Sequence, residues 1–213
     1  MSPLAVRVPA TEVPEALDQA VVAIATAGAL SSGAALVAAI LTDRPLWLAS
    51  TFVFVPGFVA FVALTVIMRR RQQTLFLARL KIGLIAGVLS IAAYDVVRWL
   101  LETLNVVSTH SFRAIPVFGY GLTNRSVSDP LAIAAGWAFH ATNGIGFAIA
   151  FVFMCAGRPW WWGVVYGLVL EAFMVTLYPG WLGMSLGTEF LSVSVLGHVA
   201  YGAVLGNFAR RSQ

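Results

Sequence analysis

The chain has 213 residues and a formal net charge of +4, with 60% of it hydrophobic and only 10% charged. Soluble domains carry about 25% charged residues, so a soluble globular protein is excluded. A mean hydropathy of +0.87 points to several membrane crossings rather than one anchor. At about 20 apolar residues per crossing, the length accommodates about six helices and no soluble domain.

The pI near 9.7 reads as the arginine bias of cytoplasmic loops. It does not indicate a nucleic-acid partner, because no base-stacking aromatics are interleaved with the basic run. The single Cys155 excludes an internal disulfide and any multi-cysteine cluster. It reads as a small packing hydrophobe.

Residues 1–18 carry Glu12, Glu15 and Asp18 with Pro3, Pro9 and Pro14. They read as a flexible tail rather than a secretory signal, which needs a basic start and an apolar core. Residues 19–213 then form one six-helix transmembrane domain. The first span, about 20–41, is rich in Ala, Gly and Ser, which let helix backbones approach closely in lipid. The second, about 46–68, contains Pro56-Gly57 and should kink there.

Arg69, Arg70, Arg71, Arg79 and Lys81 follow as a basic connection, which belongs in the cytoplasm. That orientation puts both termini in the cytoplasm. It also gathers nine of the thirteen basic residues there: Arg7, these five, Arg158, Arg210 and Arg211.

The third span, about 82–101, becomes polar towards its outer end with Tyr94, Asp95, Arg98 and Glu102. Spacings of three and four put Asp95, Arg98 and Glu102 on one face. Asp95 with Arg98 reads most simply as an ion pair. The long outer connection, 103–129, holds FRAIPVFGYGL, an apolar stretch broken by proline and glycine that suits an interfacial or re-entrant flap. The fourth span, about 130–156, carries His140, Thr142 and Asn143 without a formal charge. The fifth, about 159–178, opens on the aromatic belt of Trp160, Trp161 and Trp162 and buries Glu171. The sixth, about 190–208, carries His198 and Tyr201. The expected fold class is an all-α polytopic membrane bundle of six transmembrane helices.

Helical rise places His140 and His198 ~14 Å below the outer surface, Glu171 ~10 Å, Asp95 ~9 Å and Arg98 ~4–5 Å. Each main residue also continues a row of small side chains four apart: Gly136-His140-Gly144, Gly163-Gly167-Glu171, Ser194-His198-Gly202-Gly206 and Gly83-Gly87-Ile91-Asp95. Such rows face other helices rather than lipid. His140, His198, Glu171 and Asp95 are therefore the candidate site, supported by Arg98, Asn143, Tyr94 and Tyr201. Taken singly, each has a bland reading: an interhelical hydrogen bond, a protonated carboxyl or an ion pair.

Three chemistries use such a set. Imidazoles with carboxylates suit a divalent transition metal, with His140, His198, Glu171 and Asp95 as ligands. His140 and His198 on separate helices suit the axial positions of a haem. Titratable chains at membrane depth also relay protons. Gly183-Met184-Ser185-Leu186-Gly187 matches G-x-S-x-G, but that elbow needs a strand, a sharp turn and a helix of an α/β sheet.

The segment GHVAYGAVLG, Gly197 to Gly206, resembles the closing helix of small uncharacterised bacterial inner-membrane proteins bearing H-x-x-Y-G-x-x-x-G. The resemblance implies a multi-pass protein of the bacterial inner membrane and supplies no activity. The leading expectation is a membrane protein whose buried His/carboxylate site binds a metal ion or haem or relays protons. The alternatives are a small ion- or solute-coupled carrier and a structural subunit of a membrane complex. The implied partners are the lipid bilayer, with further membrane proteins or copies of the chain beside it, and no nucleic acid.

Overall fold

The computed structural model describes residues 16–68, 70–108, 110–182 and 188–211. Most of the expected N-terminal tail, residues 1–15, and the G-x-S-x-G turn at 183–187 lie outside them. The described residues form helices α1 (Gln19–Thr42), α2 (Leu46–Ala49), α3 (Val55–Ile67), α4 (Arg70–Thr103), α5 (Ala114–Thr123), α6 (Pro130–Cys155), α7 (Trp161–Leu182) and α8 (Thr188–Ala209). Six stretches are long and apolar enough to cross a membrane: Gln19–Thr42, Leu46–Ile67, Gln72–Thr103, Pro130–Cys155, Trp161–Trp181 and Leu191–Ala209. The protein is an all-α, multi-pass integral membrane protein.

The second span is continuous from α2 to α3 through a π-helical turn at Ser50–Phe54. Pro56 lacks an N–H, and its ring crowds the carbonyl four residues back; a widened turn relieves that contact. Ser31 of α1 faces the turn, its hydroxyl 2.6 Å from Gly28 O and 3.4 Å from Phe54 O. The kink expected at Pro56 is thus a π turn served by a neighbouring side chain. Phe52, Phe58, Val59, Val62, Val66 and Ile67 of this span are exposed, as lipid-facing side chains are.

The third helix corrects the sequence reading at its start. Arg70, Arg79 and Lys81 lie on α4 rather than in a loop, and α4 is 34 residues long, about 51 Å. Arginine, lysine and glutamine are good helix formers, so hydrophobicity marks where the crossing begins and not where the helix does. Side chains fasten this extension to its neighbours. Gln72 accepts from the Asp18 N–H at 3.2 Å, and Gln73 donates to Thr65 O at 2.7 Å.

Helix α6 lies between α1 and α4, while α8 lies between α4 and α7. One apolar core, with Phe61, Phe76, Ile149 and Phe153, joins α1, α3, α4 and α6. Another, with Ala86, Ala148, Phe151, Val152 and Leu205, joins α4, α6 and α8. Helix α5, formed by the expected flap, is ten residues long and seated on the first turns of α6. The approach depends on glycine: a Cβ at Gly119 would fall on the Ala132 carbonyl, and one at Gly136 on the Ile115 carbonyl.

Candidate functional site

Helices α4, α6, α7 and α8 carry all the candidate residues, and the structure assembles them as two pairs. His140 of α6 lies with Nε2 3.1 Å from Asp95 Oδ1 of α4. His198 of α8 lies with Nδ1 2.8 Å from Glu171 Oε2 of α7. Both contacts join different helices, so the members of each pair share one level of the bundle. Tyr94 packs against both imidazoles, its ring centroid 5.9 Å from that of His140 and 4.9 Å from that of His198.

Small residues bring the pairs into register. Gly83 and Gly87 of α4 face Ile149 and Ile145 of α6, and Gly144 of α6 faces Ile91 of α4. On the other side, a Cβ at Gly167 would press on the His198 carbonyl and one at Gly202 on the Gly163 carbonyl. Without side chains at these positions, α7 and α8 come close enough for Glu171 to reach His198. Tyr201 pins α8 to α6 by donating its hydroxyl to Gly144 O at 2.6 Å.

Hydrogen bonding orders each pair. The Ser194 hydroxyl donates to Glu171 Oε2 at 2.7 Å, and Ser194 O lies 3.0 Å from His198 Nδ1. A backbone carbonyl can only accept, so against Ser194 O His198 carries its proton on Nδ1, and the same arrangement at His140 would place its proton on Nε2. The opposite ring nitrogens are then acceptors, and both histidines line one cavity. Glu171 Oε1 is buried without a partner among the described residues.

The expected Asp95–Arg98 ion pair is replaced. Asp95 turns to His140, while Arg98 Nη1 donates to the Tyr94 hydroxyl at 2.8 Å and Nη2 donates to Ser111 O. The guanidinium also stands over the rings of Tyr94, at 4.8 Å, and Phe112, at 5.3 Å. Glu102 serves the connection instead, accepting from the Ser111 N–H at 3.0 Å and meeting His110 Nδ1 at 2.9 Å.

The cavity between these groups has a volume of about 100 Å³ and is lined by Tyr94, Arg98, His140, Asn143, His198 and Tyr201 together with apolar side chains. Asn143 is buried, with Oδ1 lacking a partner among the described residues. Among the described residues no three of His, Cys, Asp and Glu gather where they could hold a metal ion. The four expected ligands are thus divided two and two. Pockets for drug-sized ligands begin at about 300 Å³, and a haem would need more space than stands open beside the two imidazoles.

Three contributors escape a sequence reading. Ser194 looks there like one more small residue of a packing row, Ser111 like a loop serine, and Phe112 like part of an apolar flap. Only the position of Ser194 four residues before His198 carries a signal, since that spacing places both on one ridge.

The model of DUF6789, a family of unknown function, matches residues 77–213. The match contains every residue of the site and none of the first two spans. No curated protein and no solved structure matches the chain.

Proposed function

The chain belongs to the DUF6789 family, and from that premise, which fixes no chemistry, we propose that its two histidine–carboxylate pairs form a proton-relaying site within the membrane. The observation that carries the reading is the pairing itself, at 3.1 Å and 2.8 Å between four different helices. Intramembrane ionisable groups are costly and mark proton or ion pathways. In each pair one imidazole nitrogen holds the carboxylate and the other is free for a proton arriving from the cavity. Histidine suits this exchange because its ordinary pKa lies in the physiological range. Tyr94, in contact with both rings, couples the pairs.

The metal and haem readings would need the four ligands regrouped or the cavity enlarged. A proton-linked carrier is the neighbouring reading, supported by the cavity beside the pairs. We place the chain in a bacterial inner membrane with both termini in the cytoplasm. Arg70, Arg79, Lys81, Arg158, Arg210 and Arg211 support this orientation, because they lie on the first third of α4, in the α6–α7 turn or after α8, on one side of the bundle. The Gly157 N–H, for example, donates to Ala209 O at 3.3 Å, joining the α6–α7 turn to the end of α8.

Proteoliposomes enclosing a pH-sensitive dye test the proposal. After an external acid jump, vesicles with the wild-type protein should equilibrate several-fold faster than empty ones. Glu171→Gln and His198→Gln should each remove most of that gain. Equal rates with and without protein would end the relay reading.

A further inference from the structure

Arg98 is a buried cation whose hydrogen-bond and ring partners among the described residues are neutral. It is 8% exposed, and its protein partners are a phenol, a backbone carbonyl and two aromatic faces. The acids of its surroundings are engaged elsewhere: Asp95 with His140, Glu171 with His198 and Ser194, Glu102 with His110 and Ser111. A guanidinium has five N–H donors; two bonds are made here, and Nε has no partner among the described residues. Taking an ion out of water without an opposite charge is strongly unfavourable.

Arg98 lines the cavity, and so does Asn143, 7% exposed with its own Oδ1 unpartnered. Both side chains border one space, the unmet group of Arg98 being a donor and that of Asn143 an acceptor. The rest of the wall includes Ile91, Phe118, Phe147, Leu170 and Met174, which offer nothing to a polar solute but suit a hydrocarbon tail.

We infer that this cavity binds a small monocarboxylate, with the carboxylate on Arg98 and a short apolar tail against the hydrophobic wall. The planar fork of the buried Arg98 matches a carboxylate, and the exposed Arg113 adds a second cation to the same wall. The size follows from volume: an apolar cavity of about 150 Å³ holds benzene, so about 100 Å³ holds a solute of roughly four to six heavy atoms. This goes beyond proton handling and stands on Arg98 alone, so a failure here leaves the two pairs untouched.

The test titrates the purified full chain in lipid nanodiscs with carboxyl-¹³C acetate, propionate, butyrate and octanoate, read by NMR line broadening. Saturable binding should strengthen from acetate to butyrate and fall at least tenfold for octanoate. Propionamide, which lacks the charge, should not compete. Arg98→Lys should weaken propionate binding about tenfold and Arg98→Gln should abolish it. Ala114→Phe, which crowds the cavity wall and leaves Arg98 in place, should also abolish it, a check that holds if the Arg98 variants do not fold. Binding unchanged in Ala114→Phe would overturn the proposal. So would competition by propionamide, chloride or phosphate as strong as by propionate, or octanoate binding tightest, which would mean a lipid-derived acid. No saturable binding at all would likewise end it.

Discussion

The two histidine–carboxylate pairs use the same chemistry in different settings. His198 and Glu171 meet at 2.8 Å with 11% and 5% of their side-chain surface exposed, whereas His140 and Asp95 meet at 3.1 Å with 18% and 22%. Glu171 also receives the Ser194 hydroxyl, and His198 leans on the Ser194 carbonyl. The α7–α8 pair is thus held in a hydrogen-bonded network between backbones that glycines allow to touch. Among the described residues the α4–α6 pair makes a single hydrogen bond, across a seam that glycines also draw close. Removing one member of a buried pair strands the other without a partner, while a survivor with about a fifth of its side chain exposed has more room to find new ones. The difference teaches that burial, not residue type, decides which pair is structural as well as chemical.

That contrast can be broken most forcefully at Glu171. Glu171→Ala should destabilise the protein by about 3 kcal/mol or more, measured as unfolding in mixed micelles. Asp95→Ala should cost about 1 kcal/mol, the scale of membrane hydrogen bonds. Equal losses would erase the distinction between the pairs. Next in size, Gly202→Val should overpack the α7–α8 seam and cost about 1–3 kcal/mol. Because it pushes α8 away from Gly163, it should slow proton equilibration as well. A destabilised Gly202→Val protein with normal flux would separate the seam from the site.

A double-mutant cycle sharpens the comparison further. The coupling between His198→Gln and Glu171→Gln should exceed that between His140→Gln and Asp95→Asn, with about 2 kcal/mol against less than about 1 kcal/mol. The smallest effect lies outside both pairs, at Asp129 before α6. Its carboxylate accepts from the Leu131 N–H at 2.8 Å and from Arg125 at 3.2 Å. These bonds, the backbone one first, hold its carboxyl below the usual range. A depressed folded-state pKa means stabilisation that is complete above the ordinary carboxylate value and lost as pH falls through the folded one. The melting temperature should therefore drop slightly more between pH 6 and pH 3 for the wild type than for Asp129→Asn, a comparison that cancels the other carboxylates.

How much of this was legible in the sequence differs from residue to residue. His198 and Gly202 on one ridge announced a face turned towards another helix, because a spacing of four is a local property of an α-helix. Asp95 with Arg98 obeyed the same rule and misled. The two share a face, yet Asp95 turns to α6 and Arg98 to Tyr94, four residues back, and to the α4–α5 connection, a choice that spacing along α4 does not make. Arg70 to Lys81 misled for another reason, since polar residues end a membrane crossing without ending a helix.

By itself the sequence determined the medium and the main crossings, because lipid demands long apolar stretches with internally satisfied backbones. It also determined which residues would be costly there, since an imidazole or carboxylate in hydrocarbon is conspicuous in a chain with 10% charged residues. Only the tertiary structure decided that these groups form two pairs rather than one cluster. It alone left Arg98 beside a cavity with no acid among the described residues paired to it. Those outcomes depend on which helix stands next to which and how closely glycines let them approach, and such distances belong to the packed bundle rather than to any single segment.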